Sequence, residues 1–140
     1  LSTKTDLRSE CGPSPNSPTA FFFRNTSSTA VETQTLVNHL QRRLGAAGSA
    51  STVAVFYRAG ESYSADMLAE FEQALGSLGV EIVERFDLAD SNFDAAAALA
   101  QVPSADALVV IPDGRNASST AFDNAIAVIR QNAGQKIILG

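Results

Sequence analysis

From residue 51 onward the chain alternates short, strongly apolar runs with longer stretches of helical period, and no other feature restricts the fold as much. The runs "STVAVFY" (51–57), "VEIVERF" (80–86), "ADALVVIP" (105–112) and "KIILG" (136–140) read as strands. The second alternates imperfectly, through Val80, Ile82 and then Phe86. Between them, "SADMLAEFEQALGSLG" spaces Met67, Leu68, Phe71, Leu75 and Leu78 as one helix face, with Gly79 as the stop. "SNFDAAAALAQV" opens on Ser91 three residues before Asp94, the spacing of a capping box, and continues as an alanine-rich helix. "SSTAFDNAIAVIRQNAG" puts Phe122, Ile126 and Ile129 on one face, with Gly134 past its end. A further helix comes first: Thr29 and Glu32 are spaced as a capping box, and Leu36, Val37, Leu40 and Leu44 turn inward.

The order is therefore helix then strand, four times over. Apolar strands alternating with helices predict an α/β fold of three layers, with a mainly parallel sheet of about four to five strands covered on both faces. Right-handed crossovers then bring every strand's C-terminal end to one rim. At 140 residues and 45% hydrophobic, the chain is long enough for one such domain with a true core. Residues 1–29 stand apart as a polar, proline-dotted lead-in that contains the apolar triplet of "FFFR"; residues 30–140 make the single α/β lobe. That triplet needs a partner, as an edge strand or against another segment. A chain ending in a strand and glycine is expected to be part of a larger protein.

Charge and composition exclude several classes. The net charge is −5 and the basic residues are scattered, so nucleic acid is not an expected partner. No run approaches the ~20 apolar residues of a membrane-spanning helix. One cysteine, Cys11, and one histidine, His39, fall short of a zinc site. There is no GxSxG elbow and no GxxxxGK loop, and the glycines of "GAAGSAST" precede a strand rather than follow one, so they form a linker. A receiver domain is rejected because no acid pair follows the first strand. No cofactor, no metal and no catalytic residue are expected.

Chemistry is expected at the common rim, where open α/β sheets bind ligands. The loops there are "RAGESYS" (58–64), "DLADSN" (87–92) and "DGRNASS" (113–119), each running into a helix N-terminus that favours an anion. Their hydroxyls, carboxylates and guanidinium suit holding a small polar molecule. Tyr63 is either a ligand contact or a ring laid over the start of its helix. Ser62, Ser64, Ser91, Ser119, Thr120 and Thr29 read first as helix caps. Phe93 is a core or staple residue, or a pocket wall. Asp113 and Arg115 form a solvated turn pair, or they orient a zwitterion, since a guanidinium grips carboxylates in two places.

Taken in order, "LS…FFFRNTSSTAVETQTLVNHL…STVAVFYRAGESYSADM…GVEIVERFDLADSNFD…ADALVVIPDGRN" resembles the type I periplasmic binding proteins. The nearest group is the branched-chain amino-acid-binding and receptor-ligand-binding family, and the resemblance runs from Leu1 to Gly140. It matches most of that family's second lobe: a short lead, "FR(T)xxSD", a helix, a "VAVxYxxxxYG" strand and loop, a "GxxVV" strand, a "DF" segment and a "DAVxxxG" strand. The resemblance implies that Tyr63 lines an interlobe cleft and that Phe93 packs against ligand. It also implies that Asp113, with Arg115 and Asn116 nearby, takes an amino group, and that Ser28 and Thr29 fill the "SD" position. Thr29 stands where many members carry an aspartate, and "YS" (63–64) replaces "YG".

The function so implied is non-enzymatic. It is an extracytoplasmic lobe that binds a small polar solute, an amino acid or related carboxylate, in a cleft closed by a first lobe. The expected location is periplasmic or extracellular. An ABC permease or a fused signalling domain is the implied partner. Two other readings stay open: a small flavodoxin-like nucleotide-binding or enzymatic domain using the same loops, and a protein-interaction lobe that has lost solute binding.

Overall fold

The computed structural model describes residues 28–44, 52–112 and 119–140. Its elements follow the expected order: α1 (Thr29–Leu44), β1 (Thr52–Tyr57), α2 (Ser62–Ser77), β2 (Glu81–Asp87), α3 (Ala95–Gln101), β3 (Ala107–Ile111), α4 (Thr120–Asn132) and β4 (Ile137–Leu139). The strands form one four-stranded sheet in the order β2-β1-β3-β4, and every described pairing is parallel.

Side-chain alternation divides the core into two layers. Val53, Val55, Ala107, Val109 and Leu139 point to one face and pack with Val37 and Leu40 of α1 and Met67, Phe71 and Leu75 of α2. Ala54, Phe56, Leu108 and Val110 point to the other, against Ala95 and Ala98 of α3 and Ala121, Ala125 and Val128 of α4. Phe56 and Phe71, one on each side, are completely buried. Each contributes roughly 1.5–3 kcal/mol relative to an exposed ring.

The imperfect pattern of β2 has a local cause. Its register on β1 shifts between Val53 and Ala54, so Ile82 pairs with Val53 while Glu84 pairs with Ala54. One extra residue reverses which face the following side chains take. Ile82 accordingly packs on the α1–α2 side, whereas Val83 and Phe86 pack on the α3–α4 side.

Several helix ends differ from expectation. α1 is capped one residue earlier than predicted: the Ser28 hydroxyl accepts from the Val31 N–H at 3.3 Å and the Ser28 carbonyl accepts from the Glu32 N–H at 3.0 Å. Thr29 is thus the first helical residue. α3 begins at Ala95 because Asp94 is itself the cap, its carboxylate accepting from the Ala96 and Ala97 N–H groups. Ser91 therefore lies in the preceding turn. α2 is capped by Glu61 rather than by Ser62 or Ser64. It ends as predicted at Gly79, whose φ of 71° completes a turn in which Val80 N–H reaches back to the Leu75 carbonyl. The expected core residue Leu78 sits at that end and is 40% exposed.

α4 shows the largest difference in packing. The predicted inward face was Phe122, Ile126 and Ile129; the buried line is instead Ala121, Ala125, Val128 and Asn132. Small alanines let the helix approach the sheet closely, which turns the larger side chains onto its flank. Ile129 is 48% exposed. In α1, Val37 and Leu40 are buried as expected and Leu36 is partly so; the Leu44 side chain and most of the 1–29 lead-in lie outside the described residues.

Candidate functional site

The chain reverses direction across the sheet at one place. β1 hands over to β2 on one side, while β3, on β1's other side, leads on to β4. Ligands of open α/β sheets bind outside the strand ends at such a switch point. Because all strands are parallel, the N-termini of α1, α2, α3 and α4 lie on this same rim.

The rim is held together by a small set of polar ties. After Tyr57, the chain turns through Gly60, at φ 78°, into the Glu61 cap of α2, whose carboxylate accepts from the Ser64 N–H at 2.8 Å. The Ser64 side chain is fully buried between the two central strands. Its hydroxyl donates to the Ile111 carbonyl at 2.7 Å and accepts from the Arg58 N–H at 2.8 Å. Asp87, ending β2, accepts from the Ala59 and Ala89 N–H groups at 3.1 and 2.8 Å. Asn124 of α4 donates to the carbonyls of Leu88 and Asp90 at 2.9 and 3.3 Å.

Tyr63 and Phe93 occupy this rim on opposite faces of the sheet. Phe93 immediately precedes the Asp94 cap and is partly buried on the α3–α4 side. Its ring meets Phe56 edge-on, with centroids 6.2 Å apart, and Phe56 stacks on Phe86 at 4.9 Å. Tyr63 lies on the α1–α2 side, in a groove of about 420 Å³ lined by Val31, Glu32, Leu36, Tyr63 and Met67, with Gly140 at the end of β4. Burial, and then the charges of Glu32 and Glu61, push the Tyr63 phenol above its ordinary value, so it is a neutral hydrogen-bonding group at physiological pH. Thr33, one turn along α1, directs its hydroxyl toward the Met67 sulfur at 3.7 Å.

The expected residues are therefore distributed unevenly. Tyr63 lines a groove. Ser28 and Thr29 begin the helix whose first turns form one wall of that groove, and Thr29 is buried. Ser64 acts beneath the rim, joining β1 to β3. Asp113 and Arg115 lie outside the described residues; the last one before them is Pro112, at the C-terminal end of β3. Val31, Glu32, Leu36 and Met67 were not anticipated as a wall. The one signal for them was Val31, a large apolar side chain on the outer face of α1, 57% exposed. Among the described residues no group of three or more His, Cys, Asp or Glu side chains is placed to hold a metal, and no helix is long and apolar enough to cross a membrane.

Sheet order, layers and rim together define the chain as having the fold of one lobe of a type I periplasmic binding protein. It superposes on the substrate-binding protein of an ABC transporter from Desulfitobacterium hafniense, crystallised with leucine, with a TM-score of 0.61 and 18% identity over 83% of this chain. A branched-chain amino-acid ABC transporter protein from Thermus thermophilus, with bound valine, gives 0.61 and 18% over 96% of the chain. An ABC transporter solute-binding protein from Burkholderia multivorans gives 0.54 and 17% over 79%. The chain spans only 32%, 30% and 38% of the lengths of these three structures. No protein-family model and no curated protein matches the sequence.

Proposed function

We propose that this chain is one lobe of a two-lobe, non-enzymatic solute-binding protein that works outside the cytoplasm, and that the Tyr63 rim is its half of the ligand cleft. The observation that carries the proposal is the Tyr63 groove, at the C-terminal rim of a parallel sheet whose fold matches proteins crystallised with leucine and valine. Val31, Leu36 and Met67 offer an apolar surface, while the Tyr63 hydroxyl and the Glu32 carboxylate offer polar contacts at its margin. That combination suits an amino acid or a related small solute with an apolar side chain. Asp113 and Arg115, on the segment following β3, are proposed to add charged contacts for an amino and a carboxylate group. Ser28, Thr29 and Ser64 shape the rim, and Phe93 is proposed to back its other face.

In this reading the solute touches both lobes and so favours the closed arrangement, which an ABC permease or a signalling domain then reads. A single lobe makes only part of the contacts and should bind weakly.

Calorimetric titration of the complete two-lobe protein with amino acids, amides and nucleotides tests the proposal. An amino acid or amide should bind, and Tyr63→Ala should weaken that binding at least about tenfold, equivalent to ~1.4 kcal/mol. Undiminished affinity in the Tyr63→Ala variant would remove the groove from the cleft. Binding of nucleotides alone would favour a flavodoxin-like nucleotide-binding domain instead.

A further inference from the structure

We infer that the Tyr63 groove selects its ligand by an ammonium group on an apolar chain, with Glu32 and Thr35 of α1 as the acceptors, and that the groove itself reads no carboxylate. This inference rests on the reading of the groove as half of a ligand cleft, and it adds the chemical class that the groove takes.

The polar side chains lining the groove are Glu32, Thr35 and Tyr63. They have much to accept with and little to give. The Glu32 carboxylate only accepts. Thr35 has already committed its proton: its hydroxyl donates to the Val31 carbonyl at 2.8 Å, which leaves the oxygen's lone pairs for a ligand. Tyr63 brings a donor, and its phenol oxygen accepts as well. Glu32 and Thr35 are three residues apart on α1, so they stand side by side on one face of the helix.

A ligand carboxylate placed here would be poorly served. No Lys, Arg or His is among the described residues that line the groove. Helix N-termini attract anions, but two leading amides of each helix beside the groove are already bonded. The Val31 and Glu32 N–H groups donate to the Ser28 hydroxyl and carbonyl, at 3.3 and 3.0 Å. The Ser64 and Ala65 N–H groups donate to the Glu61 carboxylate and carbonyl, at 2.8 and 3.0 Å. Behind burial, the Glu32 and Glu61 charges both act on the Tyr63 phenol, so the field at the groove's margin is negative. Val31, Leu36 and Met67 make the walls apolar, and charges act more strongly beside such a surface than in open water.

An ammonium answers each of these features. It carries three N–H donors and no acceptor, and its charge suits both the Glu32 carboxylate and the face of the Tyr63 ring. The chain attached to it then lies on Val31, Leu36 and Met67. A carboxylate on the same ligand has to be met elsewhere in the cleft. Apolar primary amines are therefore the class, and apolar amino acids are its carboxylated members.

Calorimetric titration of the complete two-lobe protein with leucine, isopentylamine and isocaproate tests this. Isopentylamine is leucine without its carboxylate, and isocaproate is leucine without its ammonium. Isopentylamine should bind within about tenfold of leucine, and isocaproate at least about tenfold more weakly than isopentylamine. Glu32→Gln should weaken leucine and isopentylamine alike by about tenfold or more, and Thr35→Val should weaken both to a smaller extent. Glu32→Lys should reverse the order and favour isocaproate, a change that misfolding cannot produce. Isocaproate bound as tightly as isopentylamine, or an order unchanged in Glu32→Lys, would overturn the inference. Leucine binding that Tyr63→Ala weakens, with no isopentylamine bound, leaves the cleft reading standing and removes this one. Leucine binding indifferent to Tyr63→Ala, or no binding of any of the three compounds, removes both.

Discussion

The Ser64 hydroxyl bridges the two central strands where the chain reverses direction, donating to the Ile111 carbonyl at 2.7 Å while accepting from the Arg58 N–H at 2.8 Å. One buried side chain thus satisfies the last carbonyl of β3 and the first amide after β1. It therefore ties the end of β3 to the start of the segment that follows β1.

Ser64→Ala should destabilise the chain by about 1–3 kcal/mol, because it leaves a buried donor and acceptor without their partner rather than removing a surface contact. Urea unfolding should show a lower midpoint with an unchanged slope. A loss below a few tenths of a kcal/mol would mean that the rim relaxes freely without this tie.

Tyr63 makes a prediction about alkaline pH. Burial comes first and the Glu32 and Glu61 charges second in raising its folded-state value above the ordinary 10.0. The protonated phenol is thus favoured in the folded chain. Its stabilising effect is complete below the unfolded value and is lost as pH climbs through the raised one. Tyr57→Phe leaves Tyr63 as the only tyrosine, so tyrosinate absorbance then reports it alone. Adding Glu32→Gln should lower the Tyr63 value without bringing it down to 10.0, since burial, the larger cause, remains. No change with Glu32→Gln would separate that carboxylate from the groove wall.

On the other face, Phe93 and Phe56 meet edge to face at 6.2 Å. Phe56 is wholly buried, so Phe56→Ala should cost about 3–5 kcal/mol. Phe93→Ala should cost less, because Phe93 lies only partly within the core. A double-mutant cycle should return a coupling of about 0.5–1.5 kcal/mol between them. A coupling near zero would mean that the two rings are independent core residues that happen to be close.

The order and type of every described element were legible in the sequence, because short, strongly apolar runs alternate with longer stretches of helical period. What escaped was decided by contacts between elements. Phe122, Ile126 and Ile129 look like the buried face of α4, yet Ala121 and Ala125 allow the closer approach and take that place. β2 seemed irregular because its pattern changes face partway, at a register shift that only its pairing with β1 reveals. Caps slid by one to three residues wherever several polar side chains competed for the same amides, as at Ser28 and Thr29 or Ser91 and Asp94. The Tyr63 groove is shared by α1 and α2, and neither helix's own periodicity encodes how they sit side by side.

At the opposite end of the sheet, Lys136 ties the start of β4 to the turn before β3. Its ammonium donates to the carbonyls of Pro103 and Ala105, and its main-chain groups are bonded by the buried amide of Asn132. The two side chains have separable roles. Lys136→Met keeps the aliphatic stem and removes only the ammonium contacts, so it should cost about 1–2 kcal/mol. Asn132→Leu strands the Lys136 N–H and carbonyl together and should cost more, about 2–4 kcal/mol. Because Asn132 and Lys136 act on the same turn, the double variant should lose less than the sum of the two. Thermal unfolding of the three variants checks the order, and strict additivity would show that the turn is held by other contacts.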